Sequence, residues 1–134
     1  MEGEGDGAMK IGKRPLAVVI VAGLYIAVGM MGFGYHFGEL LKGNPFQTDA
    51  IWVELVECVA IVCGVFMLRG QNWARWVAIA WIAAHVVISA FNSVSQFAAH
   101  GVFCVLITWV LLRGEAGRYF RGERIGETDG VVGP

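Results

Sequence analysis

The residues best suited to chemistry are acids and histidines that lie inside apolar runs. Glu54 and Glu57 occur in the run at residues 50–68, and His85 occurs in the next run. An ionised carboxylate without a partner is costly in an apolar medium, so such a group holds a proton, pairs with a cation or meets water. Each run is about 20 residues long, which is the length that crosses a bilayer. The pattern therefore predicts a polar cluster at membrane depth.

Helical geometry groups these side chains further. Glu54, Glu57 and Cys58 share one face of the second helix at about 100° per residue. His85 begins a polar stripe on the third helix, and His100 lies near the start of the fourth. We expect Glu57 and His85 to form an interhelical hydrogen-bonded pair, with Glu54 reaching the interface. The full predicted cluster, read alternatively as a proton or ion site or as a surface facing another subunit, is Glu57, His85, Glu54, Ser89, Asn92 and His100.

Cofactor binding is a further alternative, for which His36, His100 and His85 are the candidate ligands. A bis-histidine haem needs two histidines at similar depth on facing helices. His36 and His100 meet that condition, and His85 is expected to lack a histidine at its level. A haem or chlorophyll-type ligand is therefore conceivable but not favoured, and the cofactor stays unknown.

A metal site is not expected. The Glu54-x-x-Glu57 spacing resembles half of a carboxylate-bridged site, but the Glu-x-x-His pattern on two further helices is missing. The three cysteines have no C-x-x-C spacing, so we interpret them as small buried hydrophobes.

Composition identifies the elements that position these residues. The 134-residue chain is 57% hydrophobic and 16% charged, which is typical of a polytopic membrane protein. We predict an all-α membrane bundle over residues 16–112. The four predicted spans are residues 16–37, 50–68, 73–92 and 97–112. Residues 1–15 form a mobile N-terminal tail, and residues 113–134 form a C-terminal tail that is first basic and then acidic and glycine-rich.

The first span carries three glycines near its end, so one face of this helix lacks side chains there. They are Gly29, Gly32 and Gly34. They predict close helix packing, with a lipid or a pigment-like ring as the alternative. Small residues four apart, as in Gly23-x-x-x-Ala27 and Gly34-x-x-x-Gly38, also indicate close approach of helix backbones.

Basic residues determine the expected orientation. Nearly all lysines and arginines fall on the side that holds both termini, and Lys42 alone falls on the other. The positive-inside rule then places both ends in the cytoplasm, with the bundle in the plasma (inner) membrane. Tryptophans near the span ends fit an aromatic belt. Binding of nucleic acid is not expected, and the residues expected to contact lipid headgroups are Arg113, Arg118, Arg121 and Arg124.

The turn between the middle spans reads Leu68-Arg-Gly-Gln-Asn-Trp-Ala-Arg. Gly70 suits a left-handed position after the second helix, and Asn72 suits the N-cap of the third. With this pattern, about ten residues long, the chain resembles a loose group of small bacterial four-helix membrane proteins. The resemblance implies a helical hairpin and a bacterial inner membrane.

No catalytic signature is present, and enzymatic activity is not expected. Because the chain is small and has no soluble domain, we expect a non-catalytic accessory or structural subunit of a larger membrane complex, such as an energy-transducing one. Its partners would be the lipid bilayer and other membrane subunits. The alternatives are a small proton-coupled transporter or channel that uses Glu57 and His85, and a membrane redox protein that binds haem, quinone or metal.

Overall fold

The computed structural model describes residues 14–42 and 48–123, which contain five helices and no strand. Four of the helices are long and apolar enough to cross a membrane, so the predicted all-α bundle of four spans is confirmed. The first helix runs four residues past its predicted end, and the fourth begins three residues earlier than predicted. The helices are α1 (Leu16–Leu41), α2 (Thr48–Leu68), α3 (Asn72–Ala90), α4 (Val94–Leu112) and the short α5 (Gly114–Phe120).

Glycines let α1 and α2 pack closely along their length. A Cβ atom on Gly29 would lie 2.8 Å from the carbonyl oxygen of Glu57, and one on Gly64 would lie 2.7 Å from that of Ala22. These contacts leave no room for side chains, so Gly29 confirms the predicted packing. The other motif glycines in α1 differ from expectation, because Gly23 and Gly34 have no neighbouring atom within 4 Å of such a Cβ.

Successive helices run antiparallel, so the bundle has two distinct ends. We call the end where α1 begins and α2 ends the basic end, and the opposite end the far end. The helix α1 packs most extensively on α2, and α3 packs on α4 and also on α2, whereas the contact between α1 and α4 is slight. On the diagonal, the hydroxyl of Tyr25 donates to the carbonyl of Ala78 over 2.6 Å. This bond satisfies a buried hydroxyl and ties α1 to α3.

The apolar core is concentrated in the basic half of the bundle. Its members come from all five helices, and the most completely buried large side chains include Met67 and Leu111. The basic half is thus filled mainly by apolar side chains, with Arg75 buried among the residues of that end, and the acidic and histidine side chains of the spans lie towards the far end. The α1, α2 and α3 members of the core are Val18, Val21, Ala22, Tyr25, Ala60, Cys63, Met67, Ala74 and Ala78.

A short helix, α5, lies within the segment that composition predicts to be a tail. Ala116, Gly117 and Phe120 are buried against the bundle. The hydroxyl of Tyr119 donates to the carbonyl of Leu68 over 3.0 Å, which occupies an acceptor at the end of α2. Residues 114–120 are therefore part of the folded domain.

The turn between α2 and α3 agrees with the sequence in one respect and differs in another. Gly70 has φ +73°, so the predicted left-handed position is confirmed. The predicted N-cap at Asn72 is wrong, because Asn72 is already helical and Gln71 occupies the cap without a side-chain hydrogen bond. The ring of Tyr119 lies over Gly70, so α5 also covers this turn.

Candidate functional site

Glu57 lies against α1. A Cβ atom on Gly32 would overlap the Glu57 carboxyl group, so this carboxyl occupies the space that a side chain at position 32 would fill. Its Oε2 atom is buried without a hydrogen-bond partner among the described residues. The close packing of α1 on α2 thus creates a recess, and Glu57 fills it.

Titratable groups of three helices lie within electrostatic range of Glu57, namely Glu54 on α2, His85 on α3 and His36 on α1. Glu54 also has one buried carboxyl oxygen, Oε1, without a partner among the described residues. The predicted residues Glu54, Glu57 and His85 thus lie in the same part of the bundle, and His36 of α1 lies there too.

The hydrogen-bonded pair expected between Glu57 and His85 is not formed. Nδ1 of His85 lies 2.9 Å from the carbonyl oxygen of Trp81, one helical turn earlier on α3. Because a carbonyl can only accept, Nδ1–H is the donor in this bond. His85 is thus held by its own helix and not by Glu57.

The prediction that His85 has no histidine at its level is wrong. The rings of His85 and His100 have centroids 6.0 Å apart. The reason lies in α4, which begins at Val94 and so carries His100 about two turns into the helix, level with His85 across a short connection. The structure therefore pairs His85 with His100, whereas the sequence favoured His36 with His100.

Ser89 anchors His100. It is 4% exposed, and its Oγ lies 2.7 Å from Nδ1 of His100. The same nitrogen lies 2.9 Å from the carbonyl oxygen of Gln96, so Nδ1 lies between a serine hydroxyl, which can donate or accept, and a carbonyl, which can only accept. Asn92 is not part of this cluster, because its side chain is exposed and donates to the carbonyl of Ile88.

Trp81, for which the sequence predicts no role, supports the site. Its Nε1–H donates to the carbonyl of Val56 over 2.9 Å and thereby joins α3 to α2 beside Glu57. Its ring packs on His85 with centroids 3.9 Å apart and on Tyr25 at 5.3 Å. The position of Trp81 in the sequence could have indicated this role, because an indole N–H in the middle of a membrane span needs a hydrogen-bond acceptor.

The histidines do not form a metal site with the acids. Within residues 14–42 and 48–123, no three histidine, cysteine or acidic side chains converge as the ligands of one ion would. His36 packs edge-on against Tyr35 near the end of α1, at 5.3 Å between centroids. What the arrangement offers is proton chemistry, because buried carboxyl oxygens and histidines lie in the same half of the bundle.

The predicted headgroup residues lie at the basic end. Arg113 and Arg121 are exposed and Arg118 is partly buried, while Arg124 lies outside the described residues. Arg121 donates to Glu123 over 2.6 Å, and the hydrogen bonds of Arg121 hold the pKa of Glu123 below its ordinary value. The charge of Arg121 is thus balanced within the chain.

The described residues place this protein in the class of α-helical membrane proteins, because four of their helices are long and apolar enough to cross a membrane. Comparison with family models, curated proteins and solved structures found no match.

Proposed function

We propose that the chain is a small proton-coupled transporter in which Glu57 is the group that binds and releases the proton. The observation that supports this most directly is the carboxyl group of Glu57, held in a glycine-lined recess with one oxygen buried and unpartnered. A carboxyl in such a place is easier to keep protonated than ionised, and a nearby base allows the proton to leave.

The arrangement along the bundle fits a site that is reached from the far end and closed towards the basic end. Titratable side chains continue from Glu57 to the far end through Glu54 and His36. In the opposite direction the core is apolar, with Met67 and Leu111 fully buried. A gated site of this kind is what alternating access requires.

His85 and His100 are proposed to receive the proton from Glu57. In each ring Nδ1 lies within hydrogen-bond distance of a backbone carbonyl oxygen one turn earlier on its own helix, which holds the orientation of the imidazole. Neutral imidazole accepts protons near neutral pH, which makes it a suitable relay partner for a carboxylic acid. The basic end is proposed to face the cytoplasm of a bacterial cell, so that protons enter the cluster from the outer side.

Labelling with a hydrophobic carbodiimide tests the carboxyl group directly, because this reagent modifies protonated carboxyls at membrane depth. We expect labelling at Glu57 that declines as the pH is raised. Glu57→Gln should abolish it, and Glu39→Gln should not, since Glu39 is exposed and paired with Lys42.

Proton flux into proteoliposomes, followed with an enclosed pH-sensitive dye, tests transport. The wild-type chain alone should carry protons in response to an imposed potential, and Glu57→Gln should reduce the rate by tenfold or more. Equal flux in wild type and Glu57→Gln would overturn the proposal.

A second candidate is the accessory subunit expected from the sequence. It is favoured by the weak contact between α1 and α4, which leaves one side of the bundle open. At the basic end of that side lies a cavity of about 480 Å³ whose lining includes Leu16, Trp109 and Arg113. Native gel electrophoresis after mild solubilisation separates the two candidates. A subunit migrates with other membrane proteins and shows no flux when reconstituted alone.

A further inference from the structure

Arg75 is a buried cation that the proposed transport function does not use. It is 7% exposed, and its Nε atom is buried without a hydrogen-bond partner among the described residues. The two ion pairs within residues 14–42 and 48–123 are Lys42 with Glu39 and Arg121 with Glu123, so neither includes Arg75. A cation that is buried to this extent without an anion is unfavourable, so an anionic partner that reaches its guanidinium would stabilise the fold.

Two aromatic rings lie against the guanidinium of Arg75. Its guanidinium lies 5.2 Å from the ring centroid of Trp76 and 5.6 Å from that of Phe120. Phe120 belongs to α5 and is buried, so α5 covers Arg75. The charged group that acts on Arg75 is a second cation, Arg121, whose own charge is balanced by Glu123. Aromatic contacts hold the guanidinium in place but do not neutralise it.

Backbone groups at the same place also favour an anion. The helix α3 begins three residues before Arg75, and Gln71 at its N-cap makes no side-chain hydrogen bond. The first N–H groups of a helix lack intrahelical acceptors and carry the positive end of the helix dipole. Arg75 lies about 5 Å from the start of α3, which is the depth of lipid headgroups if the basic end lies at a membrane surface.

We propose that Arg75 and the N-terminus of α3 bind a phosphate group, presented by the headgroup of a membrane phospholipid. The guanidinium fork forms paired hydrogen bonds with phosphate oxygens, and the N–H groups of Asn72 and Trp73 supply further donors, since that of Ala74 already bonds to the carbonyl of Gln71. Trp76 is half-exposed and flanks the guanidinium, as an aromatic side chain does at a membrane interface. This site lies at the basic end, away from the glutamate and histidine cluster.

Lipid titration of the purified full-length chain tests the proposal. The probes are phosphatidylglycerol and a glycolipid with the same acyl chains but no phosphate, added to the protein in detergent. The readout is the thermal unfolding midpoint at each lipid concentration. We expect phosphatidylglycerol to raise the midpoint of the wild type and the glycolipid to leave it unchanged. A rise that is equal for both lipids would overturn the proposal.

Two variants show whether the response depends on this arginine. Arg75→Gln should weaken the apparent affinity for phosphatidylglycerol about tenfold or more, because charge-assisted hydrogen bonds are lost. Arg69→Gln is the matched control, since Arg69 is exposed at the same end and stacks on Phe66 at 5.3 Å. Its affinity should stay within about twofold of wild type. If Arg75→Gln responds like wild type, the proposed site is wrong.

Arg75→Lys keeps the experiment decisive if the glutamine variant does not fold. Lysine preserves the charge but not the planar fork, so the variant should fold and bind phosphatidylglycerol more weakly than wild type. Inorganic phosphate is the third probe. If phosphate alone raises the unfolding midpoint and Arg75→Lys weakens that rise, the site binds phosphate from solution. If only the lipid raises the midpoint, the site binds a lipid headgroup.

The acidic residues of the C-terminal segment are the competing partner. Glu127 and Asp129 follow α5 and lie outside the described residues. If they neutralise Arg75, Glu127→Gln combined with Asp129→Asn should lower the midpoint in lipid-free detergent, and the wild type should not respond to phosphatidylglycerol. That pair of results would overturn the proposal.

Discussion

At the scale of single residues, the position of the Glu57 carboxyl group depends on Gly32. The missing side chain at position 32 creates the space in which the Glu57 carboxyl group lies. The absence of a Cβ atom in α1 therefore determines where an acid of α2 is held. Gly34, two residues later, has nothing within 4 Å of its Cβ position and serves as a natural comparison.

Alanine substitution at these glycines separates packing from site geometry. We expect Gly32→Ala to displace the Glu57 carboxyl group and to reduce carbodiimide labelling of Glu57, because the new methyl group would overlap it. Gly34→Ala should leave labelling unchanged and stabilise the protein by up to about 1 kcal/mol, through better helix propensity. Labelling at the wild-type rate in Gly32→Ala would show that the recess does not hold the carboxyl group.

At the scale of secondary structure, α5 shows how a segment with a polar sequence becomes part of the core. Its sequence, GEAGRYF, has charges and glycines that indicate a tail. Ala116 and Phe120 are four residues apart, so the helix places them on one face, and both are buried. Tyr119 reaches the end of α2. A free carbonyl at a helix terminus is an acceptor that the tyrosine hydroxyl satisfies.

The hydroxyl of Tyr119 provides a direct test of this docking. Tyr119→Phe removes the donor for the Leu68 carbonyl and should lower the free energy of unfolding by about 1 kcal/mol, as is usual for one hydrogen bond. Tyr35→Phe is the control, because Tyr35 is 71% exposed. Unfolding of both variants can be followed by tryptophan fluorescence in mixed micelles. A loss of equal size in the two variants would mean that the Tyr119 hydroxyl does not hold α5 in place.

At the scale of the whole molecule, polarity is divided between the two ends. The basic half packs an apolar core beneath arginine-rich turns, and the far half holds the buried carboxyl oxygens and histidines. This division gives each proposal its own region. Proton binding belongs to the far half, and phosphate binding belongs to the basic end.

The proposed orientation can be measured with single cysteines and an impermeant maleimide on intact cells. The native cysteines lie within α2 and α4, at membrane depth. Lys42→Cys, at the far end, should be labelled from outside. Glu115→Cys, at the basic end, should be labelled only after permeabilisation. Neither substitution removes an arginine from the basic end, so the charge bias that sets topology is preserved. The reverse labelling pattern would contradict the proposed orientation.

The number of spans and their approximate limits could be read from the sequence. Hydropathy measures directly whether a helix is stable in lipid, and four uninterrupted runs therefore predict four helices. The left-handed Gly70 was also predictable, because few other residues adopt positive φ at a helix end. The presence of acids and histidines at membrane depth followed from the same reading.

The partners of those residues required the folded structure. Helical phase tells which side chains of one helix share a face, but not which neighbouring helix that face meets. Glu57 was expected to bond to His85, yet it lies in the recess beside Gly32, and His85 bonds to its own backbone at Trp81. The pairing of His85 with His100 depended on where α4 begins, and the burial of Arg75 depended on α5. Contacts between distant segments are set by the packing of whole helices, which no local pattern records.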